Sequence, residues 1–311
     1  MFQKILVPLD GSELAERALP LATALAAQGG GSLMLLRVPI FDLQESLLPA
    51  VTEHYDARWR EYTAEDAVRA AAAYLDRLAT NLREEGIVVY TRVVEGDPAG
   101  IIVDMAQTEN IDLIVMSPRG IAGLTRWVFG SVTERVLRHA PCPVLVSRAQ
   151  DAGIQRIFIT LDGSTVAEQA LSPGLALADL LHAPVTLLRV EPPVAHNVVE
   201  EMVIELALAD DDAVEQLTDA ALANAALYLN EIAARHEQPG RTPQKSLLLG
   251  AAAERILQTA AEVPESLIVM ASHGRTGVQR WVYGSVTEKV MRGTEASLLI
   301  IRSPSAGQPT P

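Results

Sequence analysis

The stretch MSPRGIAGLTRWVFGSVTE (residues 116–134) returns as MASHGRTGVQRWVYGSVTE (residues 270–288), so the chain contains the same glycine-rich segment twice. Each copy follows an apolar run typical of a strand and leads into a predicted helix. Such a loop is a natural anion site, because glycine lets the backbone come close to a phosphate and the free amides at a helix start favour negative charge. The sequence therefore predicts two similar anion-binding loops.

The repeat extends far beyond this segment. Two further pairs of segments match: residues 4–12 with 156–164, and residues 33–38 with 185–190. The offset stays close to half of the 311-residue chain, at 162 − 10 = 152 for Asp10 and Asp162 and 284 − 130 = 154 for Gly130 and Gly284. A constant offset of this size indicates duplication of a whole domain. We predict two domains, residues 1–149 and 154–303, and a disordered, proline-rich tail at residues 304–311.

Composition excludes several classes of protein. The net charge of −14 argues against binding of long nucleic acid, which requires a basic surface. Charged residues interrupt the long apolar runs, so none reaches the length of a membrane span. The single cysteine, Cys142, cannot form an intrachain disulfide, and the chain opens without a signal-like leader. We therefore expect a cytoplasmic protein that contacts neither nucleic acid nor membrane.

Strand and helix patterns alternate through both halves. Predicted strands lie at residues 5–9, 33–38, 87–94, 112–116 and 143–147, and at residues 157–161, 185–190, 244–249, 266–270 and 297–302. Predicted helices run from Ser12 and Ser164 to about residues 28 and 182, and alanine-rich helices cover residues 64–84 and 213–236. Ser131 and Ser285 are predicted to cap the last helices. This order predicts an α/β fold with two tandem, doubly wound, parallel five-stranded sheets flanked by helices.

Candidate ligand residues converge at one edge of each predicted sheet. Ligands of open parallel sheets collect at the carboxyl ends of the strands, beside the point where the strand order reverses. Asp10 and Asp162 end the first strands, Val38 and Val190 end the second strands, and the glycine-rich segments leave the fourth strands. The alternative for the two aspartates is a turn or helix-cap carboxylate that binds nearby amides.

At these residues both halves resemble the universal stress protein family, in its tandem, nucleotide-binding form. That family's phosphate loop reads G-x-x-G, nine residues, then G-[ST]. The second and third glycines and the hydroxyl residue are matched by Gly120, Gly130 and Ser131, and by Gly274, Gly284 and Ser285. Ser117 and Ala271, both small, replace the first glycine. The resemblance implies the Rossmann-like fold of the adenine nucleotide alpha hydrolases in both halves.

The resemblance also implies a role for each matching residue. The ligand would be ATP, with or without Mg²⁺, and no residue is assigned as catalytic or as a metal ligand. Asp10 and Asp162 would lie near adenine, ribose or the metal region, Val38 and Val190 would bind adenine through their backbone, and Met116 and Met270 would pack near the nucleoside. Ribose and phosphates would be held by Gly120, Gly130, Ser131 and Val132, and by Gly274, Gly284, Ser285 and Val286.

The closing strands indicate a second kind of contact. In the resembled family the last strands pair across a dimer interface. One tandem chain would then be a pseudo-dimer of its two domains, with residues 144–147 and 298–301 as the pairing segments, and association into a homodimer is left open.

Three functions remain in competition. The first is an ATP-binding stress-response or signalling module with at most very slow hydrolysis, because no general base or arginine finger can be assigned. The second is an interaction scaffold of the same fold that binds no nucleotide, favoured by the replaced first glycines. The third, a nucleotidyl-transfer enzyme, ranks last because its signature segments are missing.

Overall fold

The structure is a computed structural model that describes residues 1–39, 63–118, 129–148, 153–193, 211–273 and 283–302. The expected tail and the loop residues Gly120 and Gly274 lie outside these ranges. The described residues form two compact units, and the chain passes from the first to the second between Ser147 and Arg148. Each unit is described separately.

The first unit alternates strands and helices in the expected order. Its strands are β1 (Lys4–Pro8), β2 (Ser32–Arg37), β3 (Val88–Val93), β4 (Leu113–Met116) and β5 (Val144–Val146). Its helices are α1 (Glu13–Glu16), α2 (Leu19–Gly29), α3 (Ala64–Glu84), α4 (Pro98–Thr108) and α5 (Ser131–His139).

The second unit repeats this order. Its strands are β6 (Arg156–Thr160), β7 (Val185–Glu191), β8 (Gln244–Leu249), β9 (Ser266–Ala271) and β10 (Ser297–Ile301). Its helices are α6 (Thr165–Glu168), α7 (Leu171–Leu181), α8 (Asp211–Arg235), α9 (Ala252–Ala261) and α10 (Ser285–Gly293).

Both units contain a parallel sheet whose strand order reverses beside its first strand. The order is β3-β2-β1-β4-β5 in the first unit and β8-β7-β6-β9-β10 in the second. In the first unit Ile5 of β1 is in register with Leu33 of β2 on one side and Leu113 of β4 on the other. The α/β fold class with parallel, doubly wound sheets is therefore confirmed, and the reversal creates the expected crevice between β1 and β4.

The strands are apolar because helices cover both faces of each sheet. The four central residues of β2 are buried, as are all residues of β9 and β10. Strands buried on both faces read as continuous apolar runs instead of alternating patterns, which explains why the sequence located them well. Leu25 of α2 and Leu75 of α3 are fully buried in the first unit.

The helix predicted after the first strand is interrupted. In the first unit α1 ends at Glu16 and α2 begins at Leu19, with Pro20 in its first turn. Proline has no N–H for the bond to the residue four positions earlier, so a continuous helix would lose the bond to the Glu16 carbonyl. The second unit breaks in the same way between α6 and α7, and Pro173 lies in the first turn of α7.

Helix α3 has the predicted bounds, and its start explains why. Thr63 accepts a hydrogen bond from the Asp66 amide, while the Asp66 carboxylate accepts one from the Thr63 amide. This reciprocal pair is a capping box, which satisfies two backbone donors at the start of a helix.

Candidate functional site

The aspartates at the ends of β1 and β6 organise the turns that follow. Asp10 Oδ1 accepts hydrogen bonds from the Ser12 amide (2.9 Å) and the Ser12 hydroxyl (2.6 Å). Asp162 makes the same two bonds to Ser164. The serine Oγ in turn accepts from the amide three residues later, at Ala15 or Ala167, as the prediction of these N-caps required. Each aspartate therefore has the turn role that was the alternative, and a ligand role would have to be additional.

The prediction that Ser131 and Ser285 cap the last helices is wrong. Gly130 and Gly284 are the N-cap residues, and the serines occupy the first helical positions. The first backbone bond of α5 runs from the Glu134 amide to the Gly130 carbonyl, at 3.0 Å. The amides of residues 131–133 therefore precede the first intrahelical bond and are directed out of the helix start, where they can donate to an anion.

A cavity of about 320 Å³ lies at the carboxyl ends of β1, β2 and β4 in the first unit. Among the predicted site residues, Asp10, Val38, Met116 and Val132 line it. Gly130 and Ser131 adjoin Val132 at the start of α5 but are not part of the lining. Nucleotide-sized ligands occupy cavities of roughly 300–1,000 Å³, so this one is large enough for part or all of such a ligand.

The second unit has an equivalent cavity of about 230 Å³. Its lining includes every predicted site residue of that half that the structure describes, namely Asp162, Val190, Met270, Gly284, Ser285 and Val286. The Gly284 amide donates to the Ser272 carbonyl at 3.0 Å and so brings the start of α10 to the end of β9. His273 also lines this cavity, with Nδ1 3.0 Å from Ser272 Oγ.

Several lining residues were not predicted. Pro98 and Ile102 of α4 close one side of the first cavity, and Ala252 and Ile256 of α9 do the same in the second. Their spacing of four residues places each pair on one helix face, and that periodicity was available in the sequence. Arg37 of β2 also lines the first cavity, whereas its counterpart Arg189 is not among the described residues that line the second.

Ser117 replaces the first family glycine and lines the first cavity. Its Oγ is buried and has no hydrogen-bond partner among the described residues. A buried hydroxyl without a partner is uncommon in folded proteins and calls for an explanation such as a bound ligand or water. Ser117 therefore adds a polar contact to the cavity instead of only tolerating the loop geometry.

The start of α4 differs between the units. Asp97 caps α4 by accepting from the Gly100 amide (2.8 Å), and it forms a bidentate pair with Arg135 of α5 at 2.7 and 2.8 Å. The Arg135 guanidinium, followed by the Gly100 amide, holds the pKa of Asp97 below its ordinary value. Ala251 occupies the equivalent position in the second unit and provides no side-chain cap. This link between α4 and α5 is thus confined to the first unit.

Cys142 is expected to be a poor nucleophile in the folded protein. Burial, with a smaller effect of Asp112, raises the pKa of its thiol to about 12. Since the thiolate is the reactive form, alkylation by iodoacetamide at pH 8 should be about 1,000-fold slower in the native than in the urea-unfolded protein. Mass spectrometry of the labelled chain over time measures both rates. Equal rates would mean that the thiol is not buried.

The described residues give no indication of a metal centre or a membrane span. In the described ranges no three His, Cys, Asp or Glu side chains approach one another as a metal site would require. None of the helices in this part of the chain is both long and apolar enough to cross a membrane.

The fold and the cavities at the strand ends define a class of doubly wound α/β proteins with a ligand crevice at the switch point. Comparison of the sequence with models of known protein families identifies one family within that class. The model of the universal stress protein family matches twice, at residues 1–148 and 153–302. The chain belongs to the universal stress protein family, in a tandem two-domain form.

Individual relatives agree with this assignment. A universal stress protein of Methanocaldococcus jannaschii is 32% identical over 146 residues, which is 47% of this chain and 82% of that protein. One of Bacillus subtilis is 30% identical over 152 residues, which is 48% of this chain and all of that protein. Each of these relatives therefore corresponds to about half of the chain.

Solved structures extend the similarity to both halves. The crystal structure of a universal stress protein from Archaeoglobus fulgidus superposes with a TM-score of 0.69, covering 97% of this chain and 99% of the other, at 19% identity. A putative universal stress protein from Pseudomonas aeruginosa gives a TM-score of 0.64 at 20% identity, covering 97% and 93%. At these identities the similarity concerns the fold.

Proposed function

We propose that the protein is a stress-response module that binds one adenine nucleotide, ATP with or without Mg²⁺, in each domain and has little or no catalytic activity. The observation that carries the proposal is the presence of two equivalent cavities. The first cavity combines Asp10, Val38 and the start of α5, and the second combines Asp162, Val190 and the start of α10.

The phosphate end of the proposed site is the start of α5 or α10. The amides of residues 131–133 supply donors without any lysine, and the helix dipole adds favourable potential for an anion. A nucleotide would place its phosphates against Gly130, Ser131 and Val132, or against Gly284, Ser285 and Val286. Gly120 and Gly274 stay in the proposal on the resemblance alone, because they lie outside the described residues.

The base and ribose end is the carboxyl edge of β1 and β2, or of β6 and β7. Val38 and Val190 would hold adenine through backbone groups, and Met116 and Met270 would pack on the nucleoside. Asp10 uses Oδ1 in the turn, and its Oδ2, which accepts no hydrogen bond from the described residues, can accept one from a ribose hydroxyl. The amide donors and the carboxylate acceptor thus suit the phosphates and the ribose of one nucleotide.

Calorimetric titration of ATP with Mg²⁺ into nucleotide-stripped protein tests the proposal. Binding of about two ATP molecules per chain would support both sites, and binding of one would assign different roles to the two domains. The absence of binding at millimolar ATP would remove the nucleotide function. Release of inorganic phosphate, followed in the same samples, should stay near background, because the sequence offers no assignable general base or arginine finger for phosphoryl transfer.

The hydroxyls of Ser131 and Ser285 are expected to contribute moderately. Ser131→Ala should weaken ATP binding in the first domain by about 1–2 kcal/mol, because one hydrogen bond to a charged group is lost while the backbone amides remain. Ser285→Ala should have the same effect in the second domain. Calorimetry of each variant measures the change, and the unmodified domain serves as the internal control. A complete loss of binding would contradict the leading role of the amides.

The second candidate is a scaffold of the same fold that takes no nucleotide. Its support is the replacement of the first family glycine by Ser117 and Ala271, together with the missing side-chain cap of α9 in the second domain. The titration above separates the candidates. A nucleotidyl-transfer enzyme remains a third and weaker alternative, because the signature segments of such enzymes are missing from the sequence.

Two further expectations stay predictions. One is a pseudo-dimer of the two domains through their last strands, with or without homodimers of the chain, for which mass measurement in solution is the first test. The other is a cytoplasmic location, favoured by the single cysteine and by the absence of a helix among the described ones that could cross a membrane.

A further inference from the structure

Arg37 brings an unpaired positive charge to the first cavity. It is the last residue of β2, it lines the cavity, and its Nε and Nη1 atoms are buried without a hydrogen-bond partner among the described residues. The guanidinium lies over the ring of Tyr74 at 5.0 Å. The ring face stabilises a cation but does not neutralise its charge. An anionic ligand group would supply the hydrogen bonds that the described residues do not.

The second domain contains the same arginine in a neutralised form. Arg189 lies over Tyr228 at 4.9 Å, and its Nε donates to Glu191 Oε1 at 2.7 Å. Its Nη2 donates to the same carboxylate oxygen. Arg189 and Glu191 are both buried, and Arg189 does not line the second cavity in the described part of the unit.

The two arginines differ in their ion pairing because of the residue two positions further along the chain. Glu191 follows Arg189 by two residues, so the two side chains share one face of the strand. The residue two positions after Arg37 is Pro39, which has no charge. The other acidic groups near the tyrosines are duplicated, since Tyr74 Oη donates to Glu16 and Tyr228 Oη donates to Glu168. Because Pro39 carries no carboxylate, Arg37 lacks the ion-pair partner that Arg189 has in Glu191.

Arg37 is separated from the phosphate end of the site. The strands β2 and β4 pair with opposite sides of β1, so their carboxyl ends are two strand spacings, or roughly 10 Å, apart. The segment before α5 leaves β4, whereas Arg37 ends β2 beside Gly11. A Cβ built on Gly11 would lie 2.1 Å from Arg37 Nη1, so the guanidinium packs directly on the turn that follows Asp10. The cation thus lies at the proposed base and ribose end.

We propose that the first domain binds an adenine nucleotide that carries a phosphate on its ribose 2′ or 3′ oxygen, with Arg37 as the group that binds this phosphate. The second domain binds the nucleotide without that phosphate, because Glu191 neutralises Arg189. The inference rests on the proposed function, since it takes the nucleotide site as given and assigns its specificity. The two domains would then respond to different ligands.

The test compares AMP with adenosine 2′,5′- and 3′,5′-bisphosphate by calorimetry on the full chain. One of the two sites should bind one of the bisphosphates about tenfold or more tightly than AMP, as expected for an added charge-assisted hydrogen bond. Arg37→Gln should bind all three ligands with similar affinity at that site. Pro39→Glu should remove the preference by restoring the carboxylate, and Pro39→Gln, which changes only the proline, should retain it.

The possible failures can be told apart. AMP binding without any preference for a bisphosphate, or a preference that survives Arg37→Gln, would overturn the inference and leave the proposed function standing. Displacement of the bisphosphate by equimolar inorganic phosphate would also overturn it, because the site would then be a simple anion site. If no adenine nucleotide binds at all, the proposed function and the inference both fail.

Discussion

Gly130→Val is expected to abolish nucleotide binding in the first domain without unfolding it, and Gly284→Val is expected to do the same in the second. Both glycines have negative φ and extended ψ, at −67° and 156° and at −58° and 147°. Valine adopts such angles without strain, so the backbone does not require glycine there. The reason for glycine is then close approach of a ligand, which a branched side chain ahead of the helix start would prevent.

The expected loss of affinity is large. Two or more amide bonds to a charged group would be removed at about 1.5–3 kcal/mol each, which corresponds to a decrease on the order of 100-fold or more. Calorimetry should show one binding site per chain in either single variant and none in the double variant. The fold should lose no more than about 1 kcal/mol, the cost of a poor N-cap residue.

Gly153→Val provides the matched control. A Cβ at Gly153 meets no atom within 4 Å, its φ is not positive, and the residue lies outside both cavities. This variant should bind nucleotide as the parent does. If the Gly130 and Gly284 double variant binds ATP with the parental affinity, the assignment of these helix starts as phosphate sites is wrong.

Glu191→Gln is expected to destabilise the second domain strongly. Arg189 is 7% exposed and Glu191 is 6% exposed, so removal of the carboxylate charge leaves a buried guanidinium without compensation. Breaking a buried ion pair from one side costs about 3–5 kcal/mol. Urea unfolding, with hydrogen exchange to locate the affected domain, measures the change in the free energy of unfolding.

An exposed ion pair of the same domain serves as the control. Glu288 and Arg292 of α10 are 2.8 Å apart, with side chains 45% and 73% exposed, and Glu288→Gln should cost about 1 kcal/mol at most. Replacing both buried partners, as in Arg189→Met with Glu191→Leu, should recover much of the loss because no lone charge remains buried. A cost for Glu191→Gln as small as that for Glu288→Gln would show that the pair is accessible to water.

The sequence predicted best those elements whose pattern reflects burial alone. The sheet strands are continuous apolar runs, and their predicted ends deviate by at most one residue, as for β1 at Lys4–Pro8 against the expected residues 5–9. The bounds of α3 were correct because a capping box at Thr63 and Asp66 fixes its start. The break between α1 and α2 was missed, since apolar periodicity continues through it and only the missing N–H of Pro20 reveals it.

The position of the site at the strand ends was predictable from the sequence, but the charged residue Arg37 in its lining was not. Asp10, Val38 and Met116 lie at strand ends that any parallel sheet brings together, so the topology predicted their common edge. The N-cap positions were misassigned by one residue because serine is the commoner cap and Gly130 takes its place. Arg37 was overlooked because the same Leu-Arg-Val sequence occurs in both halves. Whether the arginine is paired depends on the residue two positions later and on packing against α3.

The register of the central strand constrains how the chain can acquire its structure during synthesis. Ile5 of β1 is in register with Leu113 of β4. This pairing can therefore form only after more than a hundred further residues have been translated. Pairings this distant in sequence form slowly, and the waiting β1 is an apolar segment that can associate with other chains. Both partners of β1 lie before residue 148, however, so β1 can complete its own pairings before the second domain has been translated.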